Sequence, residues 1–328
     1  MKTVCGLNGF GRFGIHLLKY WLENISTSEF EIKFINDDTL DQKNILKIIQ
    51  DDKKTNFSNY EISLENEILL IKDKKNKNTH EIICTYSSSE DIKWIGKPKI
   101  FFEASGKNTL KDNCLKFLKN STSHVIISAT SNDADQTLIY SYNHDQFEIN
   151  NKVISYGSCT VNAYVPFADY INKNYSIIDS DVNIVHNIPS YKLDKFNTIK
   201  KKICTLEKSG PNLLNFLSTD NFNVNYLLIP YAGVSSIDLR FSVKNKTTLE
   251  KFTNHLKEAI DAGDLKNIYG YSSEDTDPNT FNLTKNSMEI IIPNITIKDH
   301  NIYIHGYFDN ENSVNRFFDL SNHIIKKL

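Results

Sequence analysis

The sequence predicts a mixed α/β protein in two parts. The first is a Rossmann-type doubly wound parallel sheet, and the second an α+β domain with a mainly antiparallel sheet. Three observations predict this. Strand-like and helix-like runs alternate over roughly the first 155 residues. A Gly9-x-Gly11-x-x-Gly14 turn joins the first strand to the first helix. Beyond it, longer strand-like runs follow one another with few helical crossovers. The 328 residues suffice for two domains. They divide into 1–157 with 315–328, the last helix packing back, and 158–314.

The elements follow in order. Residues 2–8 read as a buried first strand, and residues 14–22 begin a helix with an apolar stripe. Residues 30–35 alternate as a second strand that ends at Asn36-Asp37-Asp38. Residues 46–50 belong to a short helix; 60–72 and 81–86 read as strands. A short buried strand, 99–103, runs into Ala104-Ser105-Gly106. Residues 110–118 are helical, and 124–128 and 153–155 are strands. In the second half 182–185, 226–229, 235–243, 287–292 and 301–307 read as strands. Residues 249–260 form an amphipathic helix and 314–327 a final one.

Composition excludes several classes. Hydrophobic residues make up 40% and charged residues 24%, ordinary for a soluble globular chain. The net charge of −2 gives no electrostatic case for nucleic acid or a membrane surface. No apolar run approaches a membrane span. Met1-Lys2-Thr3 leads straight into a strand-like run without a signal-peptide core, so the chain reads as cytoplasmic. Cys5, Cys84, Cys114, Cys159 and Cys204 are scattered, with no CxxC pair. They read as free thiols rather than a disulfide framework or a zinc site, and no metal is expected.

The glycine turn carries the first chemistry. Gly9 permits the tight turn, Gly11 lets a pyrophosphate approach the backbone, and Gly14 allows close helix–strand packing. The helix N-terminus favours phosphate charge. An Asp37 carboxylate after the second strand would accept from adenosine ribose hydroxyls and repel a 2′-phosphate, so NAD is favoured over NADP. The competing reading is a glycine-rich turn in a cofactor-free sheet, with Asp37 capping the next element.

Cys159 and His186 carry the second. Cys159 stands in Ser158-Cys159-Thr160-Val161-Asn162-Ala163, where residues 160–165 can begin a helix. A helix N-terminus or a nearby imidazolium lowers a thiol's pKa and makes the thiolate nucleophile. His186 ends a strand-like run and is the matching base. Taken singly, Cys159 reads as a core cysteine and His186 as a surface histidine. The polar neighbours Ser158, Thr160 and Asn162, with the upstream glycine turn, favour the catalytic reading. The other eight histidines read as structural.

With these residues the chain resembles the glyceraldehyde-3-phosphate dehydrogenase family over essentially its whole length. The resemblance rests on Asn8-Gly9-Phe10-Gly11-Arg12-Phe13-Gly14, Asn36-Asp37, Glu103-Ala104-Ser105-Gly106, Ser158-Cys159-Thr160-Val161-Asn162 and His186. It extends to Val234-Ser235-Ser236-Ile237-Asp238-Leu239, to Phe308-Asp309-Asn310-Glu311, and to Asn315-Arg316. It implies an NAD-dependent phosphorylating aldehyde dehydrogenase working through a thioester on Cys159, with His186 as base. It implies a cofactor set of Asn8, Gly9, Phe10, Gly11, Arg12, Phe13, Asp37, Ser105 and Ser128, with Asn310 holding the nicotinamide carboxamide. Ser158, Thr160, Ser209 and Gly210 would hold inorganic phosphate. The implied partners are a small aldehyde and phosphate, and the implied assembly is a homo-oligomer, dimer or tetramer.

The departures concern recognition. Where the family has a threonine three residues after the histidine this chain has Pro189. Where it has an arginine before an Ile-Pro pair this chain has Leu228. An arginine–phosphate contact is strong and charge-assisted. The segment between His186 and Ser209 is shortened, and the aromatic-Gly-Tyr after Asn310-Glu311 is missing. Lys192, Lys195, Lys200, Lys201, Lys202 and Lys208 read as a solvated basic face, the other reading being a replacement phosphate ligand. Two alternatives therefore stand: the same chemistry on a different aldehyde, or a catalytically weak NAD-binding paralogue with a regulatory role.

Overall fold

The structure is a computed structural model that describes residues 2–52, 54–309 and 313–328. The chain forms two compact units. One comprises Met1–Leu138, His144–Tyr156 and Phe317–Leu328, the other Ile139–Asn143 and Gly157–Arg316.

The first unit is built on β1 (Thr3–Asn8), α1 (Arg12–Glu23), β2 (Phe30–Asn36), α2 (Gln42–Asp51), β3 (Tyr60–Glu65), β4 (Ile68–Asp73) and β5 (Thr79–Thr85). It continues with β6 (Ile100–Glu103), α3 (Lys111–Leu115), β7 (His124–Ile127), β8 (Gln136–Thr137) and β9 (Val153–Ser155). The nine strands lie in the order β3-β4-β5-β2-β1-β6-β7-β9-β8. All neighbours from β5 to β8 are parallel, and β3 and β4 add an antiparallel edge. Central strands covered on both faces account for the continuously buried runs Ile100–Glu103 and His124–Ile127. Residues 60–72, read as one extended run, are a hairpin. Asn66 and Glu67 take positive φ of 48° and 65°, as a two-residue hairpin turn requires. The α3 helix is shorter than the 110–118 reading, because Phe117 and Leu118 bond three residues back rather than four.

The second unit contains α4 (Cys159–Tyr175), β10 (Ile177–His186), β11 (Lys200–Lys201), α5 (Leu206–Leu213), β12 (Phe222–Leu228) and β13 (Ser235–Val243). After these come α6 (Leu249–Asp261), β14 (Tyr269–Ser272), β15 (Met288–Ile291), β16 (Thr296–Lys298) and β17 (Asn301–Phe308). The final helix, α7 (Ser313–Lys327), belongs to the first unit from Phe317 onward. The eight-stranded sheet runs β11-β12-β10-β13-β17-β15-β14, with β16 also on β17. It is mainly antiparallel; β10–β12 and β14–β15 are the parallel pairs. Along β10, Ser180, Val182, Ile184 and His186 are buried and Asn183 is exposed. The period of two thus makes His186 the last residue of the inward row.

Helix α4 meets this core through Tyr164, Phe167 and Ala168, each fully buried. Pro166 lies inside it. Proline has no N–H, so the carbonyl of Asn162 loses its intrahelical donor. Tyr269 repairs the break. Its hydroxyl donates to the carbonyls of Asn162 at 3.2 Å and Ala163 at 3.0 Å, and accepts the Phe167 N–H at 3.0 Å. Tyr269→Phe strands these buried groups and should lower stability by about 1–3 kcal/mol. The urea midpoint of the full chain measures this; an unchanged midpoint shows that the tyrosine hydroxyl is not what holds the helix.

Candidate active site

Ser158 caps α4 in an extended conformation. Its hydroxyl accepts the Val161 N–H at 3.3 Å, and its carbonyl accepts the backbone and side-chain N–H groups of Asn162 at 2.9 and 3.0 Å. Cys159 is therefore the first residue of a 17-residue helix, where the dipole favours an anion. Its Sγ lies 3.6 Å from His186 Nε2. The other imidazole nitrogen, Nδ1, is 2.7 Å from the carbonyl of Asn187. A carbonyl only accepts, so Nδ1 carries a proton. In the neutral ring, Nε2 then presents its lone pair to the thiol. The rings of Tyr226 and Phe308 pack on His186 with centroids 5.3 and 5.8 Å away.

Cys159 is partly exposed, whereas Cys5, Cys84, Cys114 and Cys204 are buried. Burial raises all four of those thiol pKa values, Cys84 and Cys114 to about 12.

Beside the thiol stands a group of hydroxyls. Ser158 Oγ is 3.1 Å from Thr160 Oγ1 and 3.3 Å from Thr205 Oγ1. Thr205, at the start of α5, was missed by sequence reasoning. Its position before Leu206-Glu207 marked a helix start, but nothing linked it to Ser158. Ser209 and Gly210 are placed differently. Ser209 is buried, and its hydroxyl donates to the Thr205 carbonyl at 2.9 Å within the same helix. A Cβ on Gly210 would come within 2.7 Å of the Phe222 ring, so this glycine answers to packing.

One of the two departures, Leu228, lies in the sheet row of His186. Leu228 pairs with His186 in the parallel register of β10 and β12. Lys200 pairs with Leu228 across β11. Register partners share a face, so the row reads His186, Leu228, Lys200. Pro189 opens a short helical turn, Ser190–Lys195. All six lysines of this stretch are exposed, and Lys200 Nζ sits 5.2 Å from the Phe196 ring centroid.

In the first unit the chain leaves β1 for β2 on one side and later returns to β6 on the other. The C-terminal ends of these strands frame a shallow crevice lined by Asn8, Gly9, Asp37, Asp38, Ser105 and Lys107, among others. Gly9 has φ of +97°, and a Cβ there would stand 2.4 Å from Ser105 N. A Cβ on Gly14 would meet the Gly9 carbonyl at 2.3 Å. Gly11 differs: a Cβ there meets nothing within 4 Å, so neither packing nor φ demands this glycine. An open approach to the backbone at a helix N-terminus fits a phosphate group. Asp37 accepts from the Phe10 N–H at 2.7 Å with one oxygen and from Thr39 N and Oγ1 at 2.8 and 2.6 Å with the other. Arg12 stands in the first turn of α1, and Phe13 packs its ring on Tyr156 and Phe317. Ser128 follows β7, its N–H on the Glu103 carbonyl at 2.9 Å. Asn310 lies outside the described residues.

No family model matches the chain. It is similar over its whole length to glyceraldehyde-3-phosphate dehydrogenase 1 of Bacillus subtilis, 28% identical over 344 residues covering 100% of this chain and 99% of that protein. It is 26% identical to glyceraldehyde-3-phosphate dehydrogenase 1 of Bacillus cereus over 341 residues, 99% of each chain. The cytosolic glyceraldehyde-3-phosphate dehydrogenase of Pisum sativum is 27% identical over 349 residues, covering 100% of this chain and 99% of the pea protein.

Iodoacetamide at mildly acidic pH should label Cys159 ahead of the four buried thiols. His186→Asn should slow that labelling by removing the proton acceptor at 3.6 Å. Peptide mapping after timed quenches reads the order. Equal labelling of Cys84, Cys114 or Cys204 would show that burial and the imidazole do not govern thiol reactivity here.

Proposed function

We propose that this chain, a divergent member of the glyceraldehyde-3-phosphate dehydrogenase family, is an NAD-dependent phosphorylating aldehyde dehydrogenase that works through a thioester on Cys159. The observation that carries this reading is the geometry at His186. Nδ1 is tied to a carbonyl, and Nε2 faces the Cys159 thiol at 3.6 Å. A structural cysteine and histidine need no such alignment.

NAD would be held through Asn8, the turn 9–13, Asp37 and Ser105, with Arg12, Phe13, Ser128 and Asn310 completing the proposed set. When bound, it supplies the acceptor for the hydride lost from the aldehyde carbon. The protein's own steps follow from its residues. His186 Nε2 takes the proton of Cys159, and the start of α4 stabilises the thiolate. The thiolate adds to the aldehyde carbonyl. The resulting oxyanion faces the Cys159 backbone N–H and the protonated imidazole. The imidazolium passes its proton to the oxyanion, and His186 takes that proton back as the C–H electrons depart, leaving a thioester. Phosphate, at the hydroxyls of Ser158, Thr160 and Thr205, attacks the thioester carbon. The C–S bond breaks and an acyl phosphate leaves. Ser209 and Gly210 support this site through α5, the helix that Thr205 begins.

A second reading concerns the aldehyde. Leu228 stands beside His186 in register, and Pro189 follows shortly after. Neither offers a side-chain donor to a substrate phosphate. Each lost hydrogen bond to a charged group costs about 1.5–3 kcal/mol. An aldehyde other than glyceraldehyde 3-phosphate is therefore the favoured substrate.

Two outcomes test these readings. First, Gly11→Ala should leave the thermal midpoint nearly unchanged, since a Cβ there meets no atom. It should weaken NAD binding, measured by fluorescence quenching, and the unmodified chain should bind NAD more tightly than NADP. An unaltered affinity for NAD would remove the turn from the cofactor site. Second, a panel of phosphorylated and unphosphorylated aldehydes should yield NADH in a phosphate-dependent manner. Thr205→Ala should raise the KM for phosphate by about 10-fold, the loss of one hydrogen bond to a charged group. Cys159→Ser should abolish turnover. Turnover indifferent to phosphate would overturn the phosphorylating assignment, and a dominant rate on glyceraldehyde 3-phosphate would overturn the second reading.

A further inference from the structure

A second group of ligand-type side chains lies in the first unit. His144 and Asp145 stand in a short turn, His144–Gln146, and His323 projects from α7. One donor atom from each side chain falls within 4.8 Å of the others. The two imidazoles meet with centroids 4.6 Å apart and planes 62° from parallel. His323 Nε2 lies 3.5 Å from Asp145 Oδ1. That nitrogen is buried from solvent and has no hydrogen-bond partner. A buried polar atom without a partner costs about 1–3 kcal/mol. A cation that takes its lone pair offsets this penalty and draws in the Asp145 carboxylate.

We propose that His144, Asp145 and His323 bind one divalent transition-metal ion of the zinc class. Two imidazoles and one carboxylate are the donor set of Zn²⁺, Co²⁺ or Ni²⁺ rather than of Ca²⁺ or Mg²⁺, which take oxygen ligands. Three protein ligands leave one tetrahedral position for water. The ion ties α7 to the 144–146 turn within the first unit, so its role is a structural clamp independent of the proposed reaction. Lys327 opposes it. Its ammonium is 3.8 Å from the same carboxylate oxygen and donates to the Asp145 carbonyl at 2.8 Å. It competes with the ion for that oxygen and limits the affinity.

The sequence reading took these histidines as structural, and spacing motifs cannot join residues so far apart in the chain. The full chain tests the proposal. Cys159 is first alkylated so that its thiol cannot ligate metal, and the protein is stripped with chelator. Calorimetry should then show one equivalent of Zn²⁺, and Zn²⁺ should raise the thermal midpoint. Co²⁺ should give the visible bands of a four-coordinate site without a thiolate charge-transfer band. Asp145→Asn removes an 81% exposed carboxylate. It should weaken Zn²⁺ binding by at least about 10–100-fold, the cost of losing even a partner outside the ligand set. His323→Gln should abolish binding and Lys327→Gln should tighten it. Failure of the alkylated chain to bind either ion overturns the proposal. So does an affinity that survives both Asp145→Asn and His323→Gln.

Discussion

One hydrogen bond governs the chemistry available to the second unit, the one from His186 Nδ1–H to the Asn187 carbonyl. It selects the tautomer whose Nε2 presents its lone pair to the Cys159 thiol. The reversed tautomer would aim an N–H at the thiol and offer no base. The carbonyl is itself immobilised. Asn187 N–H donates to Ser235 Oγ at 3.1 Å, Ser235 Oγ donates back to Asn187 Oδ1 at 3.3 Å, and Asn187 Nδ2 donates to the Gly233 carbonyl. These groups are buried, so their hydrogen bonds are strong and their loss costly. The strand end that delivers His186 is thus fixed from below by polar bonds and from the side by Tyr226 and Phe308.

The first unit solves the same problem with a carboxylate. Glu103 ends β6 almost fully buried. It accepts from Asn8 Nδ2 at 2.8 Å, Asn108 Nδ2 at 3.1 Å and the Ser105 N–H at 2.8 Å. Burial raises its pKa, and these donors pull against that shift. From Asn8 the chain of bonds runs on. Asn36 Nδ2 donates to Asn8 Oδ1, Thr85 Oγ1 to Asn36 Oδ1, and Trp94 Nε1 to Thr85 Oγ1, all at 2.8–2.9 Å. The C-terminal ends of β5, β2, β1 and β6 are therefore cross-linked by side chains beneath the crevice. A strand end held this way keeps the adjoining glycine turn in place without help from a ligand.

Much of this architecture was legible, and the reasons are physical. Apolar runs with period 2 or 3.6 report burial directly, so the parallel sheet, α1 and β10 could be read. The juxtaposition of Cys159 and His186 was legible because a helix start and a strand end are distinct local signals. What stayed hidden depends on contacts between distant segments. The Asn66-Glu67 turn lacks the glycine that usually announces positive φ. Thr205 joins Ser158 only because α5 packs near the start of α4. Ser209 looked equivalent to it by residue type, yet helix geometry turns its hydroxyl onto the Thr205 carbonyl. The His144–His323 pairing has no sequence signature at all.

The proposed chemistry and the proposed substrate recognition rest on separate supports. The proposed reacting groups, Cys159 and His186, stand at the N-terminus of α4 and the end of β10, and their positions are set by capping, by the Tyr269 repair of Pro166 and by the Asn187 network. None of these supports involves Leu228 or Pro189. Leu228 lies on the neighbouring strand, in register with His186. A change of side chain there alters what is offered to a ligand without disturbing the backbone bond from Ile229 N–H to the His186 carbonyl at 3.0 Å. The short β11 strand that follows places Lys200 one strand further out, exposed and resting on Phe196. An ammonium there is solvated and two strands removed from His186, so it does not restore the fork of donors that an arginine would present.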